Sequence, residues 1–356
     1  MALNPPTDYD YNVFNGQVDN PSAAYGAIYP SSLTTANLSN YKTPYMINWN
    51  MDVQRQLPFK MILDVGYVGD ESHHGDGSTQ INQLPVGTLD LAKNKGVNTN
   101  SLRPYAGYGT ITDICFCENS NYNGLQTSLN RRLATGLQFG SSFTWSKALD
   151  VVAAETVWNW PAPQNSYDAR PDYGPADISR KFVFSVNIQY QLPFAKGSNN
   201  AFIRGIAGGW TISPVFFAQS GVPQSVSVST DVAGIGTAGA RASLVAGQSL
   251  YLSNKTPGEW FNTAAFLPTS QMPLGQFGNS GRDILTGPGY SELDVSLFKR
   301  FQIREKTDLE FRAESFNLPN HPSFTTLGTT VGTSTFGAVT AAANPRIDQF
   351  ALKFHF

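Results

Sequence analysis

The sequence predicts an all-β fold of antiparallel strands, each with one apolar and one polar face. The last nine residues, Asp348-Gln-Phe-Ala-Leu-Lys-Phe-His-Phe356, alternate aromatic or aliphatic side chains with mostly polar ones. The same period of two recurs in eight further segments, and an extended strand is the structure that has this period. The connections between these segments alternate between short and long. Together the patterns are typical of a barrel that crosses a membrane with its strands.

Composition agrees with a membrane barrel and excludes two other classes. Charged residues make up 14% of the chain, whereas soluble domains have about 25%. No run approaches the roughly 20 apolar residues that a membrane helix needs, so helical spans are excluded. The net charge is -2 and the 24 Lys and Arg residues are scattered. The chain therefore offers no basic surface, and nucleic acid is excluded as a partner.

Nine segments have the two-sided pattern. Their apolar rows begin, in chain order, at Ile47, Phe59, Leu125, Leu137, Phe182, Trp210, Leu293, Leu309 and Phe350. The row from Trp210 is the least regular, because Val215 and Phe217 interrupt its polar face. Each segment is about 10 to 13 residues long, which is the length that a tilted membrane-crossing strand needs.

Loop lengths predict the orientation of the strands. The connections at 57–58, 134–136, 193–207 and 302–306 are short or moderate, and those at 70–121, 149–179, 221–289 and 318–346 are long. Outer-membrane barrels have short turns on the periplasmic side and long loops outside. We therefore expect the long loops to be external, although a soluble sandwich also alternates apolar and polar residues.

The strand count predicts a partial barrel. With the long loops outside, the strand at 45–57 runs inward, and nine is an odd number whereas bacterial single-chain barrels have even numbers. The first residues have neither a basic nor an apolar segment of a secretion signal. We expect residues 45–356 to be the C-terminal portion, about nine or ten strands, of a larger barrel, and residues 1–44 to be an irregular external segment. A further strand within 1–44 or 221–231 is the alternative.

Several motifs, taken in order, resemble one family. They are Pro44-Tyr-Met-Ile-Asn-Trp-Asn-Met-Asp-Val-Gln-Arg-Gln-Leu57, Tyr122-Asn-Gly-Leu-Gln126, Phe143-Thr-Trp-Ser-Lys-Ala-Leu-Asp150, Phe277-Gly-Asn-Ser-Gly-Arg282, Gly287-Pro-Gly289, Phe311-Arg-Ala-Glu-Ser-Phe-Asn317 and Gln349-Phe-Ala-Leu-Lys-Phe354. The set resembles the barrel of TonB-dependent receptors of the Oar-like, carboxypeptidase-regulatory-domain type that is common in Acidobacteria.

The resemblance implies a location, partners and a function. It implies a bacterial outer-membrane receptor or transporter that binds or takes up a bulky, unidentified solute, with membrane lipid around it. Family members have a barrel of about 22 strands and a plug that contacts TonB. We expect contact with the TonB system only through a plug that this sequence does not contain. The terminal strand implies insertion by the barrel assembly machinery. A porin-like channel and a secreted or surface β-rich adhesion protein are the alternatives.

The resemblance and the strand pattern together predict three groups of functional residues. The terminal strand presents Phe350, Leu352, Phe354 and Phe356 for barrel assembly. Aromatic residues of one long loop, Trp158, Trp160 and Tyr167, are candidates for ligand contact. Charged residues on polar rows, Arg132, Asp294, Glu310, Arg312 and Glu314, are expected to face the lumen, because each would cost about 2–4 kcal/mol at mid-depth in hydrocarbon.

Four other motifs predict no chemistry. Asp70-Glu-Ser-His-His-Gly-Asp76 contains possible metal ligands, but adjacent side chains of an extended segment point apart, so we expect a solvated loop. Gly234-Ile-Gly-Thr-Ala-Gly239 lacks the strand and helix of a dinucleotide site, which favours a flexible external loop. Cys115 and Cys117 form either a bridge or two free thiols. His321 lies in a turn motif. We predict no catalytic, cofactor-binding or metal-binding residues, no cofactor and no enzyme activity.

Overall fold

A computed structural model of the chain describes residues 13–14, 17–18, 32–36, 41–88, 102–106, 108–151, 162–195, 197, 199–304 and 306–356. The first strands are β1 (Val13–Phe14), β2 (Gln17–Val18), β3 (Ser32–Ala36), β4 (Tyr45–Leu57), β5 (Met61–Gln80), β6 (Thr110–Ala134), β7 (Leu137–Asp150), β8 (Gly174–Pro175), β9 (Phe182–Gln191) and β10 (Trp210–Gln219). The remaining strands are β11 (Pro223–Gln224), β12 (Ser227–Val228), β13 (Leu285–Thr286), β14 (Tyr290–Arg304), β15 (Thr307–Phe316), β16 (Phe324–Leu327), β17 (Thr330–Val331), β18 (Val339–Ala342) and β19 (Ile347–His355).

In the part of the chain that the structure describes, helical structure is confined to short pieces. An α-helix, α1 (Ala201–Ala207), begins after Asn200, whose side chain caps it by accepting hydrogen bonds from two backbone amides. Short 3₁₀ turns lie at Arg170–Asp172, Thr263–Ala265 and Thr269–Gln271. The described part of the chain has no helix with the length and apolarity to cross a membrane.

Nine strands form one antiparallel wall in which each strand pairs with its neighbours in sequence. The order is β4-β5-β6-β7-β9-β10-β14-β15-β19. The all-β, antiparallel prediction and all nine predicted strands are therefore confirmed. Two short strands join the same sheet, β3 beside β6 in parallel and β8 beside β7. The sheet is not closed, since β4 pairs only with β5 and β19 only with β15 among the described strands.

The two faces of the wall differ as the period of two predicts. Cross-strand partners extend the apolar rows from strand to strand, for example Val53 beside Val65 and Phe311 beside Leu352. On the apolar face Met51 is 71% exposed and Leu352 is 68% exposed. Such exposure of large apolar side chains is expected where lipid, not water, is the solvent of that face.

The connections alternate in length as predicted. Short ones lie at 58–60, 135–136, 192–209 and 305–306, and long ones at 81–109, 151–181, 220–289 and 317–346. The tightest turn, Thr135-Gly136, has positive φ at both residues (51° and 80°), which matches the right-handed twist of the two strands it joins. Phe59 was predicted to start an apolar row, but it has φ 62° in the turn before β5, which begins at Met61.

The first long loop is shorter than predicted. The sequence predicted a loop from 70 to 121, whereas β5 and β6 continue to pair as far as Gln80 with Thr112. Beyond the membrane neither face needs to be apolar, so pairing continues without the alternation that marks a strand in sequence. The prediction that Asp70–Asp76 is a solvated loop is therefore wrong. These residues belong to β5, where Glu71 lies 3.6 Å from His73.

The hydrophobic core lies outside the wall. Its buried residues are Leu84, Val226, Val228, Val232, Ala233, Ile235, Ala240, Ala242, Phe261, Ala265, Phe266, Met272, Leu285, Leu327 and Val331. They come from three long loops, and the fourth is attached to them by hydrogen bonds. We call the described residues of these loops (81–88, 102–106, 108–109, 162–181, 220–289 and 317–346) the outer cap. The cap is a packed unit at the outer end of the wall.

A charge on the apolar face should be far more costly than one on the polar face. Met51 lies in the middle of β4 on the apolar face, and its neighbour Asn50 lies on the polar face. We expect Met51→Arg to destabilise the inserted protein by about 2–4 kcal/mol and Asn50→Arg to have a much smaller effect. Urea unfolding in lipid vesicles, followed by the heat-modifiable mobility on gels, measures both. Equal losses would contradict the assignment of the faces.

Candidate external binding site

Gln164 lies between two cavities of the outer cap. The first has a volume of about 270 Å³ and the second about 290 Å³, and Gln164 lines both. Its side-chain oxygen accepts a hydrogen bond of 2.6 Å from the backbone N–H of Arg241. Its backbone carbonyl accepts one of 2.9 Å from the side-chain amide of Gln83. Gln164 is thus fixed by two other loops, and it separates the two cavities.

The first cavity has a mixed lining of three side-chain amides, one guanidinium, two threonines and small or apolar residues. Gln80, Gln83 and Gln164 surround it together with Arg103 and the loop at 235–240. Arg103 donates a hydrogen bond of 2.7 Å to the carbonyl of Asn82, and its burial lowers its pKa while Tyr167 opposes that shift. Amides both donate and accept hydrogen bonds. The cavity therefore suits a polar solute that has hydroxyl or carboxylate groups.

The second cavity is built around a buried ion pair. Arg241 and Asp172 bind each other, and both side chains are more than nine-tenths buried. Arg241 also donates a hydrogen bond of 3.0 Å to the carbonyl of Ser280. Burial raises the pKa of Asp172, and the hydrogen bond from Arg241 opposes this shift. The Ser280 hydroxyl is buried and has no hydrogen-bond partner among the described residues, so a polar group remains available to a bound molecule.

A second ion pair joins the cap to the wall. Arg282 of the longest loop binds the carboxylate of Asp150, the last residue of β7, and donates a hydrogen bond of 2.9 Å to the carbonyl of Pro175. Burial lowers the pKa of Arg282, and the neighbouring Asp283 opposes the shift. This contact fixes the loop that contains Arg241 and Ser280 relative to the wall.

One of the three predicted ligand-contact aromatics lies beside this site. The Tyr167 hydroxyl donates a hydrogen bond of 2.6 Å to the carbonyl of Gln83, which lines the first cavity. The Tyr167 side chain is itself more than half exposed. Trp158 and Trp160 lie outside the described residues. Ligand contact by Tyr167 stays a prediction.

Four of the five predicted lumen charges lie on one face of the wall. By register, Asp294, Glu310, Arg312 and Glu314 share the polar face. Glu310 is 1% exposed, accepts a hydrogen bond of 2.8 Å from Arg300 and also binds Arg312. Asp294 accepts a hydrogen bond from the backbone of Asn317. The fifth, Arg132, is exposed beside the inner turn, and its backbone N–H donates to the Lys60 carbonyl.

The terminal strand presents its predicted apolar row on the apolar face. Phe350 pairs with Ala313, Leu352 with Phe311 and Phe354 with Leu309. Phe350 is 76% exposed and Phe356 is 97% exposed. Because β19 is an edge strand, both its apolar side chains and one row of backbone hydrogen-bonding groups remain accessible.

The remaining motifs have structural explanations. Cys115 and Cys117 form a disulfide on β6, so the bridged alternative holds. Ile235 is buried in the cap core, where the Asp231 carboxylate binds the amides of Ile235 and Gly236. The glycine motif is therefore a packed turn of the outer loop, and no helix follows it. His321 lies beside a turn that Asn317 closes with two side-chain hydrogen bonds.

Sequence reasoning missed the residues that line the two cavities. Asp172 and Arg241 are separated by 69 positions, and Gln164 stands in no recognisable motif. Ser280 lies in the Phe277–Arg282 motif, but that motif indicated only the resemblance and not a binding site. Arg300 was also missed, although it stands on the same polar row as the charges that were predicted. That row is the one signal that could have found it.

The fold and the site define a class of protein. An antiparallel wall with a large exposed apolar face, short turns at one end and a packed cap at the other is the architecture of an outer-membrane β-barrel protein. Residues 1–349 match a family model described as an outer membrane beta barrel domain. The chain belongs to this family, and its location is the bacterial outer membrane.

Solved structures of outer-membrane proteins are similar to the chain. The outer membrane transporter YddB from Escherichia coli shares 12% identity, with a TM-score of 0.45, over 92% of this chain and 34% of that one. The ferric-catecholate import receptor Fiu from E. coli K12 shares 11%, with a TM-score of 0.42, over 91% and 30%. The ferric enterobactin receptor PfeA from Pseudomonas aeruginosa shares 9%, with a TM-score of 0.42, over 88% and 31%. The chain spans about a third of the length of these proteins. Comparison with the curated proteins gave no match.

Breaking the buried ion pair should open the cap. Asp172→Asn leaves the buried Arg241 without its carboxylate partner, which typically costs about 3–5 kcal/mol. We expect faster hydrogen exchange at the backbone amides of residues 226–242, measured by mass spectrometry. Asp168→Asn is the matched control, because Asp168 pairs with the exposed Arg170 and its loss should leave the cap unchanged. Equal exchange rates in the two variants would show that the buried pair does not hold the cap.

Proposed function

We propose that the chain forms the wall and outer cap of an outer-membrane receptor or transporter of the TonB-dependent type, which binds or takes up a bulky solute. The main support for this proposal is the construction of the outer cap. Loops that served only as connections would not need a shared hydrophobic core, buried ion pairs and two cavities with polar groups in their linings. Such construction is expected where loops are positioned to recognise a molecule.

The chemistry of the two cavities supports a polar solute, and their position on either side of Gln164 supports a bulky one that contacts both. Each is close to the lower limit of about 300 Å³ for a small-molecule site, and the Gln164 side chain lies between them. A solute that contacts both would meet amides, two guanidinium groups and the Ser280 hydroxyl. We propose that Tyr167 lies at the edge of this solute, with its exposed ring available for stacking.

The charges on the polar face support a water-filled lumen. Glu310 lies between the guanidinium groups of Arg300 and Arg312, and Arg312 lies 4.0 Å from Glu314. Such a cluster is costly in hydrocarbon and suits an aqueous interior. We propose that Arg132, Asp294, Glu310, Arg312 and Glu314 line the lumen, where they meet water, solute or a plug. In this proposal energy from the TonB system reaches the wall through the plug.

Uptake tests the proposed function directly. Cells that express the chain are incubated in a complex medium, and solute depletion is followed by mass spectrometry with and without a proton uncoupler. We expect energy-dependent depletion of at least one bulky polar solute when the cells also supply a plug that contacts TonB, because in this proposal the energy reaches the wall only through the plug. Arg241→Met should abolish that depletion because it disrupts the second cavity, whereas Arg170→Met should not. Equal depletion with the uncoupler, or a steady open conductance in planar bilayers, would instead support a porin-like channel.

We also propose that the barrel assembly machinery inserts this wall through β19. The exposed row of Phe350, Leu352, Phe354 and Phe356 at the edge of the wall supports the proposal. Adding a short polar tail after Phe356 should sharply reduce the amount of protein in the outer-membrane fraction. The same tail inserted after Lys255, in an exposed part of the cap, is the control and should have little effect. If both variants insert equally, β19 is not the recognised strand.

A further inference from the structure

A third cavity lies on the apolar face of the wall, near its outer end. Its volume is about 860 Å³. Four of the residues that line it form one level across β5, β6, β7 and β9, because each is the cross-strand partner of the next. They are Tyr67, Leu125, Trp145 and Phe182. Because all four point to the apolar face, the cavity opens towards lipid and not towards the polar face along which a solute would pass.

The next level outward is polar. Asn123 and Lys147 are partners of each other and stand two residues further out than Leu125 and Trp145. Two residues of a strand span roughly 7 Å. The Tyr67 hydroxyl donates a hydrogen bond to the Asn123 side chain across these levels. Aromatic rings at one level, with polar groups at the next level outward, are typical of a membrane interface, where the rings lie at the depth of the lipid headgroups.

The segment between β8 and β9 forms the side of the cavity. Its residues 176–181 return along the edge of β7, where the Lys181 carbonyl accepts a hydrogen bond of 3.0 Å from the Ser146 amide. Pro175, Ser179 and Lys181 from this part of the chain line the cavity, together with Pro223 and Thr286 from the cap. The cavity is therefore a recess between the wall and the overhanging cap.

The described residues that line the recess carry only positive charge. Lys147 and Lys181 are the charged ones, and no carboxylate is present among the described lining residues. Among the described residues, no salt bridge neutralises either ammonium group. Every salt bridge among the described residues has an arginine or a histidine as its cation. What distinguishes Lys147 and Lys181 is therefore their shared position beside one apolar recess.

We propose that this recess binds a phosphate-bearing lipid of the outer leaflet. The lipid's acyl chains lie against Leu125, Trp145 and Phe182, and its headgroup phosphates lie at the level of Lys147 and Lys181. Charge complementarity selects the anionic headgroup, since lysines at a membrane surface attract anionic lipid. The position on the apolar face selects a lipid over a free anion. The proposal does not depend on the proposed uptake function.

Lipid retention by the purified protein tests the proposal. The full chain in detergent is incubated with a diphosphorylated glycolipid, with its dephosphorylated form, or with inorganic phosphate as a competitor, and bound lipid is measured by native mass spectrometry. The double variant Lys147→Gln/Lys181→Gln should bind the phosphorylated lipid about tenfold more weakly. The control Lys60→Gln/Lys353→Gln removes two exposed lysines elsewhere and should bind as the unmodified chain does. Inorganic phosphate should not displace the lipid, because it makes no contact with the apolar level.

Three results would overturn the proposal. They are equal binding of the two lipid forms, equal binding by the double variant and the control, and displacement of the lipid by inorganic phosphate. The last result would identify a site for free anions. Trp145→Ala provides an independent test of the acyl-chain contact, because it keeps both lysines and removes the largest apolar side chain of the recess. It should weaken lipid binding without changing the heat-modifiable mobility that reports a folded wall, and unchanged binding would contradict the assigned acyl contact.

Discussion

Backbone pairing between neighbouring strands is the constraint on which the rest of the structure depends. In hydrocarbon no water is present to bond an open N–H or C=O group, so each strand must find its partners in the adjacent strands. That requirement produces the regular ladder from β4 to β19, and the ladder forces successive side chains to opposite faces. The apolar rows, the polar rows with their charge clusters, and the alternation of short turns and long loops all follow from it.

The same constraint ends where the membrane ends, and the outer cap begins there. Above that level β5 and β6 continue as a ribbon without alternating faces, and the loops fold by the rules of a soluble protein. Residues such as Phe261 and Leu285 are buried in the cap while Met51 and Phe350 of the wall are exposed. One chain therefore has two opposite distributions of apolar residues, and the boundary between them marks the change of solvent. The ion pair of Arg282 with Asp150 crosses this boundary.

Local patterns predict the wall but not the cap. All nine strands and the order of the loops follow from a period of two and from turn positions, since each strand pairs with its neighbour in the chain. The cap depends on contacts between distant loops, such as Gln83 with Gln164 and Arg241 with Asp172, for which no local pattern exists. The outer parts of β5 and β6 were missed for a related reason, because the residues from Ser72 to Gln80 face no lipid and do not alternate. The predicted roles of the lumen charges depend on what fills the interior.

Strand direction limits how the wall can be completed. Both edge strands, β4 and β19, run from the outer end to the inner end, because an odd number of antiparallel strands begins and ends in the same direction. Direct pairing of β19 with β4 would be parallel, and so would each junction between two copies of this wall arranged in a ring. An antiparallel closure therefore needs an odd number of further strands between the edges. A second copy contributes nine, but its own edges again meet β4 and β19 in parallel unless it is inverted, which would place its cap on the inner side. Closure that keeps every strand pair antiparallel and every cap external therefore uses strands other than these nine.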